Sequence, residues 1–321
     1  MNVINNLTVY TRYIPTRIVK GGSYLYAQLY YEAGEYGIMA IDPTTLAVLS
    51  TFSYNNDRIS DICVYSDSRI AIRSDNTVAV LSFDGTMFTQ VCKRTIRSSI
   101  NTGIACTNDF VFVSCGSKII SVKISTGEIA QELNTPYYYT ARAISCVSDY
   151  LFVRETNISM TSYKLAAYRI NSDYLTNPNR NMQFLHEIDS PGFDTDLGRL
   201  TVDASLNIIE PCISTNRFIP FNGTELTVVG DLTVGEEHTT YLPALEFVKH
   251  GDYYFISPNT TMKLYTLDTD TLELTEEYAS ISVSQMPTYV CPGFIPSQIY
   301  TTRDISGDGS GRNVSIKNIT P

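Results

Sequence analysis

Residues 38–49 are Ile38-Met39-Ala40-Ile41-Asp42-Pro43-Thr44-Thr45-Leu46-Ala47-Val48-Leu49. This stretch predicts a short strand, a tight polar turn and a second strand, because apolar residues flank a cluster of turn-forming ones. The same pattern returns in the segments that begin at Val78, Ile119, Leu165, Phe218 and Lys263. A pattern that recurs at a steady interval is the signature of a repeat architecture.

Each copy carries a turn-forming residue at the same place, and these residues mark the period. They are Asp42, Asp84, Ser125, Asn171, Asn222 and Asp268. The intervals between them are 42, 41, 46, 51 and 46 residues. Asp, Asn and Ser suit such turns because their side chains accept hydrogen bonds from the turn backbone. Since units of roughly 40–50 residues are typical of propeller blades, we predict an all-β propeller of four-stranded antiparallel blades.

Both ends of the chain bear on the number of blades. Residues 313–318 form a strand that reaches a turn residue 50 positions after Asp268, and the strand expected next is missing. Residues 3–14 contain a strand-like run with no blade in front of it. We therefore predict one seven-bladed domain, residues 1–321, whose last blade is closed by the N-terminal strand; six blades are the alternative. The predicted blades are 16–53, 59–96, 102–133, 141–188, 199–234, 242–280 and 288–321 plus 3–14.

The composition argues against several classes of partner. The net charge is −10, and the longest run of basic residues is Lys93-Arg94, which disfavours binding to nucleic acid or to an anionic membrane. No apolar run reaches the roughly 20 residues of a transmembrane helix, and the N-terminus lacks the features of a secretory signal. We therefore expect a soluble protein, either intracellular or part of a virus particle.

Three of the seven cysteines recur in step with the repeat. Cys63, Cys106 and Cys146 occupy matching points in successive copies, each followed closely by an aspartate. We predict that they lie on the innermost strand of each blade, as small buried residues packed against the next blade. No Cys-x-x-Cys pair is present to suggest a zinc site.

Aromatic and acidic loop residues are the candidates for binding a partner. Tyrosine offers apolar area with a polar tip, which suits a sugar ring or a protein surface. The alternative is ordinary packing, because the chain contains 23 tyrosines. The predicted set is Tyr31, Glu32, Glu35, Tyr36, Tyr137, Tyr138, Tyr139, Asp194 and Asp196.

Residues 304–312 resemble the start of a calcium-binding loop. Asp304, Ser306 and Asp308 place oxygen side chains at alternate positions before a glycine, and alternating oxygens can surround a hard cation. The twelfth position, where a bidentate acid belongs, is Ser315. Ca²⁺ is thus the one cofactor that the sequence suggests, and a hairpin tip without metal is the alternative.

The turn segments also resemble those of known families. The segments 40–45, 122–128 and 265–271 look like the repeats of the PQQ-type and YVTN-type propeller families, in which a strand is followed by Asp-x-x-Thr-Gly and an outer strand. The resemblance implies an architecture of blades around a ring. It does not imply a function, because one fold serves many functions.

No acid–base constellation or nucleophile motif stands out, so no catalytic residue is assigned. We expect a non-enzymatic platform that binds a protein partner through the loops of one ring face or through the rim. Three alternatives stay open. The chain could be a structural subunit of a large assembly such as a virus particle or tail, a carbohydrate-binding module, or a propeller enzyme with a site in the central channel.

Overall fold

The computed structural model describes residues 2–10, 13–31, 36–54, 58–66, 68–96, 101–135, 139–157, 159, 161–171, 181–190, 200–212, 216–234, 244–258, 261–282, 290–292, 294, 299–301, 304–305 and 313–320. Within these residues every regular element is a β-strand. The prediction of an all-β chain is therefore confirmed. The described part of the chain contains no helix that could cross a membrane.

The strands form seven sheets over the described residues, numbered here in chain order. Strand β1 is Asn2–Tyr10. Sheet 1 contains β2 (Tyr13–Gly21), β3 (Tyr24–Tyr31), β4 (Tyr36–Ile41) and β5 (Val48–Tyr54). Sheet 2 contains β6 (Ile59–Ser66), β7 (Arg69–Ser74), β8 (Thr77–Phe83) and β9 (Phe88–Thr95). Sheet 3 contains β10 (Asn101–Cys106), β11 (Phe110–Cys115), β12 (Lys118–Lys123) and β13 (Ile129–Asn134). Sheet 4 contains β14 (Tyr139–Val147), β15 (Tyr150–Asn157), β16 (Tyr163–Ile170) and β17 (Met182–Ser190).

Sheet 5 is a meander with two-residue edge strands, and sheets 6 and 7 depart from a simple meander. Sheet 5 contains β18 (Thr201–Val202), β19 (Asn207–Pro211), β20 (Asn216–Pro220) and β21 (Gly230–Asp231). Sheet 6 contains β22 (Thr233–Val234), β23 (Ala244–His250), β24 (Tyr253–Pro258), β25 (Thr261–Asp268) and β26 (Glu273–Ser282), and β22 pairs in parallel with β26. Sheet 7 contains β27 (Val290–Pro292), β28 (Ile299–Thr301), β29 (Asp304–Ile305) and β30 (Asn313–Thr320), with β1 beside β30.

Sheet 7 joins the two ends of the chain. Strand β1 pairs with β30 in antiparallel fashion, with Leu7 opposite Ile316 and Val9 opposite Val314. The N-terminal strand is the edge strand of this sheet, and β27 forms the opposite edge. The backbone groups of β30 are thereby paired on both sides, by β28 and β29 on one side and by β1 on the other.

The first strands of the seven sheets contact one another in a cycle. Strand β2 contacts β6, β6 contacts β10, and β10 contacts β14. The series continues through β18, β23 and β27, and β27 contacts β2 again. Each sheet therefore has one neighbour before it and one after it along the chain, and the last sheet lies beside the first.

Apolar side chains fill the spaces between neighbouring sheets. Six clusters of buried residues are described, and each combines residues from two sheets that follow one another in this cycle. Sheet 3 illustrates the rule. Val111 and Val113 of β11 pack against sheet 2, whereas Phe110 and Phe112 of the same strand pack against sheet 4. Because side chains alternate between the two faces of a strand, both faces of sheet 3 are buried.

Burial on both faces explains the composition of the strands. All six residues of β11 are buried, as are five of the six residues of β7. The fourth strands are less buried: β9 has Phe88 as its only buried residue, and β13 has none. The central strands therefore appear in the sequence as continuous apolar runs instead of alternating patterns.

Four of the six turn residues that mark the repeat form the predicted hydrogen bonds with the turn backbone. The Asp42 carboxylate accepts hydrogen bonds from the backbone N–H groups of Thr44 and Thr45 at 2.8 and 2.7 Å. The same bonds to residues two and three positions further on recur at Asp84, Asn222 and Asp268. These bonds hold each hairpin between the third and fourth strands in one conformation.

We expect Gly85→Ala to destabilise the protein more than Gly116→Ala. Both glycines have positive φ, +98° and +60°, so alanine is strained at either position. A Cβ atom on Gly85 would also lie 2.9 Å from the Tyr24 hydroxyl of the neighbouring sheet, whereas a Cβ on Gly116 meets nothing within 4 Å. Denaturant unfolding should show a loss of about 1 kcal/mol for Gly116→Ala and a loss larger by about 1 kcal/mol for Gly85→Ala. Equal losses would contradict the contact between sheets 1 and 2 at this hairpin.

Candidate functional site

Two of the tyrosines predicted to bind a partner have described side chains, and they lie in different sheets. Tyr36 begins β4 and packs, half-buried, against the apolar cluster between sheets 1 and 2. Tyr139 begins β14, and its hydroxyl forms a hydrogen bond of 2.7 Å with the Ser162 hydroxyl. The Lys164 ammonium lies 5.5 Å from the centre of the Tyr139 ring. Each of the two tyrosines therefore contacts residues of its own or the neighbouring sheet, and the two do not form one surface.

The rest of the predicted binding set is described only in part. The backbone of Tyr31 ends β3 and pairs with Tyr13 of β2. The other predicted residues lie outside the described part of the chain: Glu32, Glu35, Tyr137, Tyr138, Asp194 and Asp196. The aromatic and acidic binding surface therefore stays a prediction.

The suggested calcium loop also stays a prediction. Asp304 lies in β29, where its backbone pairs with Val314, while Ser306 and Asp308 lie outside the described residues. Elsewhere in the described part of the chain, no three His, Cys, Asp or Glu side chains are grouped so that they could hold a metal ion.

The three recurring cysteines lie on the first strands of sheets 2, 3 and 4. Cys63 lies on β6, Cys106 on β10 and Cys146 on β14, which agrees with the predicted placement on the innermost strands. All three residues pack against the apolar clusters between neighbouring sheets, as predicted, but they are only partly buried. The Cys63 and Cys106 sulfur atoms are 2.8 Å apart, close enough for one thiol to donate a hydrogen bond to the other.

A set of buried polar residues, which we call the interface polar set, recurs in the second strands. Four of its members are the fifth residue of their strand, and Glu210 is the fourth residue of β19. Each follows a run of mostly apolar residues, and all are buried. The set is Gln28 of β3, Arg73 of β7, Ser114 of β11, Arg154 of β15 and Glu210 of β19.

Three members of the set reach forward to the next sheet. The Gln28 amide donates a hydrogen bond of 2.6 Å to the Ile59 carbonyl of sheet 2. The Arg73 guanidinium has Cys115 of sheet 3 as a partner, and burial lowers its pKa. The Arg154 guanidinium donates a hydrogen bond of 3.3 Å to the Pro211 carbonyl of sheet 5. A polar side chain thus accompanies the apolar packing between the sheets at each of these interfaces.

A group of buried charged residues lies between sheets 4 and 5. Glu210 is fully buried and forms a salt bridge with Arg217, which pairs with it across β19 and β20. The second carboxylate oxygen of Glu210 accepts a hydrogen bond of 2.7 Å from the Ser190 hydroxyl of sheet 4. Arg217 also donates a hydrogen bond of 3.1 Å to the Asp189 carbonyl of sheet 4. One carboxylate therefore connects two strands of sheet 5 with the outer strand of sheet 4.

The buried guanidinium groups of Arg154 and Arg217 both interact electrostatically with the Glu210 carboxylate. Burial lowers the pKa of Arg154 to about 9, and the negative charge of Glu210 opposes the shift. Arg154 still carries its positive charge at neutral pH. Burial and the Glu210 charge raise the pKa of the nearby Cys212 thiol to about 12, which keeps the thiol neutral. Glu210 is thus the anion on which both arginines depend, because a buried charge without a counter-ion is costly.

We expect Glu210→Gln to destabilise the protein by about 3 kcal/mol, because it leaves Arg154 and Arg217 buried without their anion. The matched control is Glu132→Gln, which removes the carboxylate of an exposed pair whose Lys118 Nζ–Glu132 Oε2 distance is 2.6 Å. An exposed pair contributes about 0–1 kcal/mol. Denaturant unfolding at neutral pH measures both losses. A loss for Glu210→Gln as small as that of the control would show that the buried carboxylate is not needed.

Glu155 is a second buried carboxyl, on the opposite face of β15 from Arg154. Its side chain is buried and accepts a hydrogen bond of 3.3 Å from the Tyr168 hydroxyl. Burial raises the pKa of Glu155 to about 7, and the Tyr168 hydrogen bond lowers it less than burial raises it. Glu187 raises this pKa further, whereas Lys164 lowers it. The buried Glu155 carboxyl therefore takes up a proton near neutral pH.

We expect Glu155→Gln to remove one component of the pH dependence of stability. An unfolded glutamate has a pKa of about 4.3, so between about pH 4 and 7 the folded chain binds more protons than the unfolded chain. Stability from this group is therefore full at low pH and falls as the pH rises through this window. Relative to the parent protein, the Gln variant should gain about 2–3 kcal/mol in unfolding free energy between about pH 5 and pH 8.

The exposed Glu225→Gln variant serves as the control for this measurement, because Glu225 lies in a surface turn. Its stability relative to the parent protein should not change over the same pH range. A Glu155→Gln variant whose stability follows the parent protein at both pH values would contradict the elevated pKa of Glu155.

The interface polar set has a sequence pattern that an analysis of hydrophobic periodicity does not detect. A charged or amide residue closes a run of apolar residues in second strands, as in residues 25–28, 70–73 and 151–154. In a single copy this looks like an ordinary strand end. Only the comparison of equivalent positions in successive copies reveals that the polar residue recurs, and only the structure shows that it is buried.

The comparisons with known proteins bear on the fold alone. No family model matches the chain, and no curated protein matches it. The chain is similar to the crystal structure of a functionally unknown protein from Desulfotomaculum acetoxidans DSM 771, with a TM-score of 0.63 and 13% sequence identity. The similarity covers 87% of this chain and 91% of that one. The resemblance to PQQ-type and YVTN-type repeats is thus not supported by a family match.

Proposed function

We propose that the chain is a single seven-bladed β-propeller whose last blade is completed by its N-terminal strand. Seven sheets over the described residues, the cyclic contacts of their first strands and the pairing of β1 with β30 support this arrangement. The apolar clusters support it too, since each joins two consecutive sheets face to face, as blades do. A closed ring leaves only short, protected sheet edges.

We infer that this propeller is a non-enzymatic platform that binds a protein partner at its rim. The observation that carries the inference is a set of exposed apolar side chains, which we call the rim set, at or near the start of fourth strands in four sheets. Met87, Phe184 and Val229 are each more than half exposed, at 58%, 51% and 53%. The complete set is Val48, Leu49, Met87, Val91, Phe184, Val228 and Val229.

The surroundings of the rim set favour contact with another protein. Residues 48–54, 86–92 and 226–230 contain no charged side chain. Within these three segments no charge interrupts the exposed apolar side chains, and such an apolar surface favours contact between proteins. Because the whole chain has a net charge of −10, a partner with an apolar patch surrounded by basic residues fits this surface best.

The experiment compares partner binding by the parent protein with partner binding by the double variant Met87→Ser/Val229→Ser. Both side chains are exposed, so their loss should leave the fold intact. The full-length protein is immobilised, incubated with extract from its own source, and the bound proteins are quantified by mass spectrometry. A specific partner should be retained by the parent protein and reduced at least about tenfold by the double variant, because each buried apolar side chain contributes about 1–2 kcal/mol.

The matched control is Arg94→Ser, which removes a large exposed side chain from β9, the strand that also carries Val91. This variant should retain the partner. A partner lost equally in all variants, or no stoichiometric partner at all, would contradict a binding surface on the rim set. Native mass spectrometry of the purified protein adds one distinction, since a large complex of identical copies would indicate an assembly subunit instead of a platform for a different protein.

A further inference from the structure

The thiol pair Cys63–Cys106 lies between the first strands of sheets 2 and 3. The two residues are 43 positions apart in the chain, and their sulfur atoms are separated by 2.8 Å. A disulfide bond has a sulfur–sulfur distance of about 2.0 Å, so less than about 1 Å of movement separates the thiol pair from a covalent bond. Strands β6 and β10 contact each other directly, which keeps the two cysteines side by side.

Neither cysteine of the pair is fully buried. Cys63 and Cys106 are each partly exposed, and each packs at the margin of the apolar cluster between sheets 2 and 3. Burial, with a smaller contribution from Cys63, raises the pKa of the Cys106 thiol well above its usual value. The raised pKa keeps the Cys106 thiol in its neutral form near neutral pH.

A third thiol lies within electrostatic reach of this pair. Cys146 occupies the first strand of sheet 4, next to sheet 3 in the cycle, and it influences the pKa of Cys106. Burial raises the pKa of Cys146 itself to about 12. Because Cys146 lies on the first strand of the next sheet, it competes to form a disulfide bond with either member of the pair. The experiment must therefore identify which two sulfur atoms become linked.

We propose that Cys63 and Cys106 form an oxidative modification site, at which hydrogen peroxide or a related peroxide links sheets 2 and 3 by a disulfide bond. The linkage would join the inner strands of two consecutive sheets covalently. It would close a loop that contains the whole of sheet 2 after Cys63 and the first strand of sheet 3. Constraining so long a loop in the unfolded chain stabilises the folded state.

The reaction balances with peroxide as the oxidant. The thiolate of one cysteine attacks a peroxide oxygen, the oxygen–oxygen bond breaks, and hydroxide leaves and takes up the thiol proton as water. The product is a sulfenic acid. The second cysteine attacks the sulfenic sulfur, the sulfur–oxygen bond breaks, and a second water leaves. The two thiols lose two electrons and two protons in total, and hydrogen peroxide is reduced to two molecules of water.

The test uses the purified full-length protein before and after treatment with hydrogen peroxide. Remaining thiols are blocked with an alkylating reagent, and the protein is digested without reduction and analysed by mass spectrometry. We expect a linked pair of peptides that contain Cys63 and Cys106, lighter by two hydrogen atoms than the separate peptides and released by dithiothreitol. The melting temperature of the oxidised protein should exceed that of the reduced protein by about 5 °C or more.

Variants identify the two sulfur atoms independently. Cys63→Ser and Cys106→Ser should each abolish both the linked peptide and the rise in melting temperature. Cys92→Ser is the matched control, because Cys92 is another partly exposed cysteine at the same apolar cluster, and it should leave both effects unchanged. The peptide map of the parent protein gives an answer even where a variant fails to fold.

Three results would overturn the proposal. The first is full alkylation of Cys63 and Cys106 after peroxide treatment. The second is oxidation of either residue to a sulfinic or sulfonic acid without a linked peptide. The third is a linkage that includes Cys146 in place of one member of the pair, since the two sulfur atoms at 2.8 Å would then not be the reacting ones.

Discussion

The packing of each sheet between two neighbours is the constraint on which the rest of this structure depends. A four-stranded sheet on its own would expose at least one apolar face to water. Here consecutive sheets cover one another, as in sheet 3, where Val111 faces sheet 2 and Phe112 faces sheet 4. The hydrophobic free energy gained at these interfaces offsets the loss of conformational entropy on folding. The cyclic order gives every sheet two such neighbours, and the pairing of β1 with β30 ties the ends of the chain together.

The polar groups at these interfaces favour one relative position of neighbouring sheets. Apolar contacts alone are not directional and would allow several positions. Desolvation makes an unpaired buried charge costly, so the arrangement is favourable only when each partner is in place. Glu210 illustrates this requirement, because it satisfies Arg217 on its own sheet and Ser190 on the neighbouring one. Glu155 shows the other outcome, in which burial favours the neutral form of a carboxyl and raises its pKa.

The interior residues hold the sheets together, so interactions with other molecules are proposed at two places, the fourth strands and the first strands. The fourth strands carry exposed apolar side chains such as Met87 and Val229, and this is the surface from which a protein partner is proposed. The first strands carry the partly exposed residues Cys63 and Cys106, between which a disulfide bond is proposed. These two features lie on different strands of the sheets and can be altered independently of each other.

The sequence by itself determined the repeating β-architecture and its turns. Continuous apolar runs and Asp or Asn at fixed intervals are local properties, and hydrogen bonds within a few residues decide their structure, as at Asp42 and Asp84. It also placed the recurring cysteines on equivalent strands, but it did not reveal their exposure or the contact between Cys63 and Cys106. The charged group around Glu210 could not be predicted either. Which strands face each other, and which polar side chains meet between them, depends on contacts between residues far apart in the chain, and only the tertiary structure decided those.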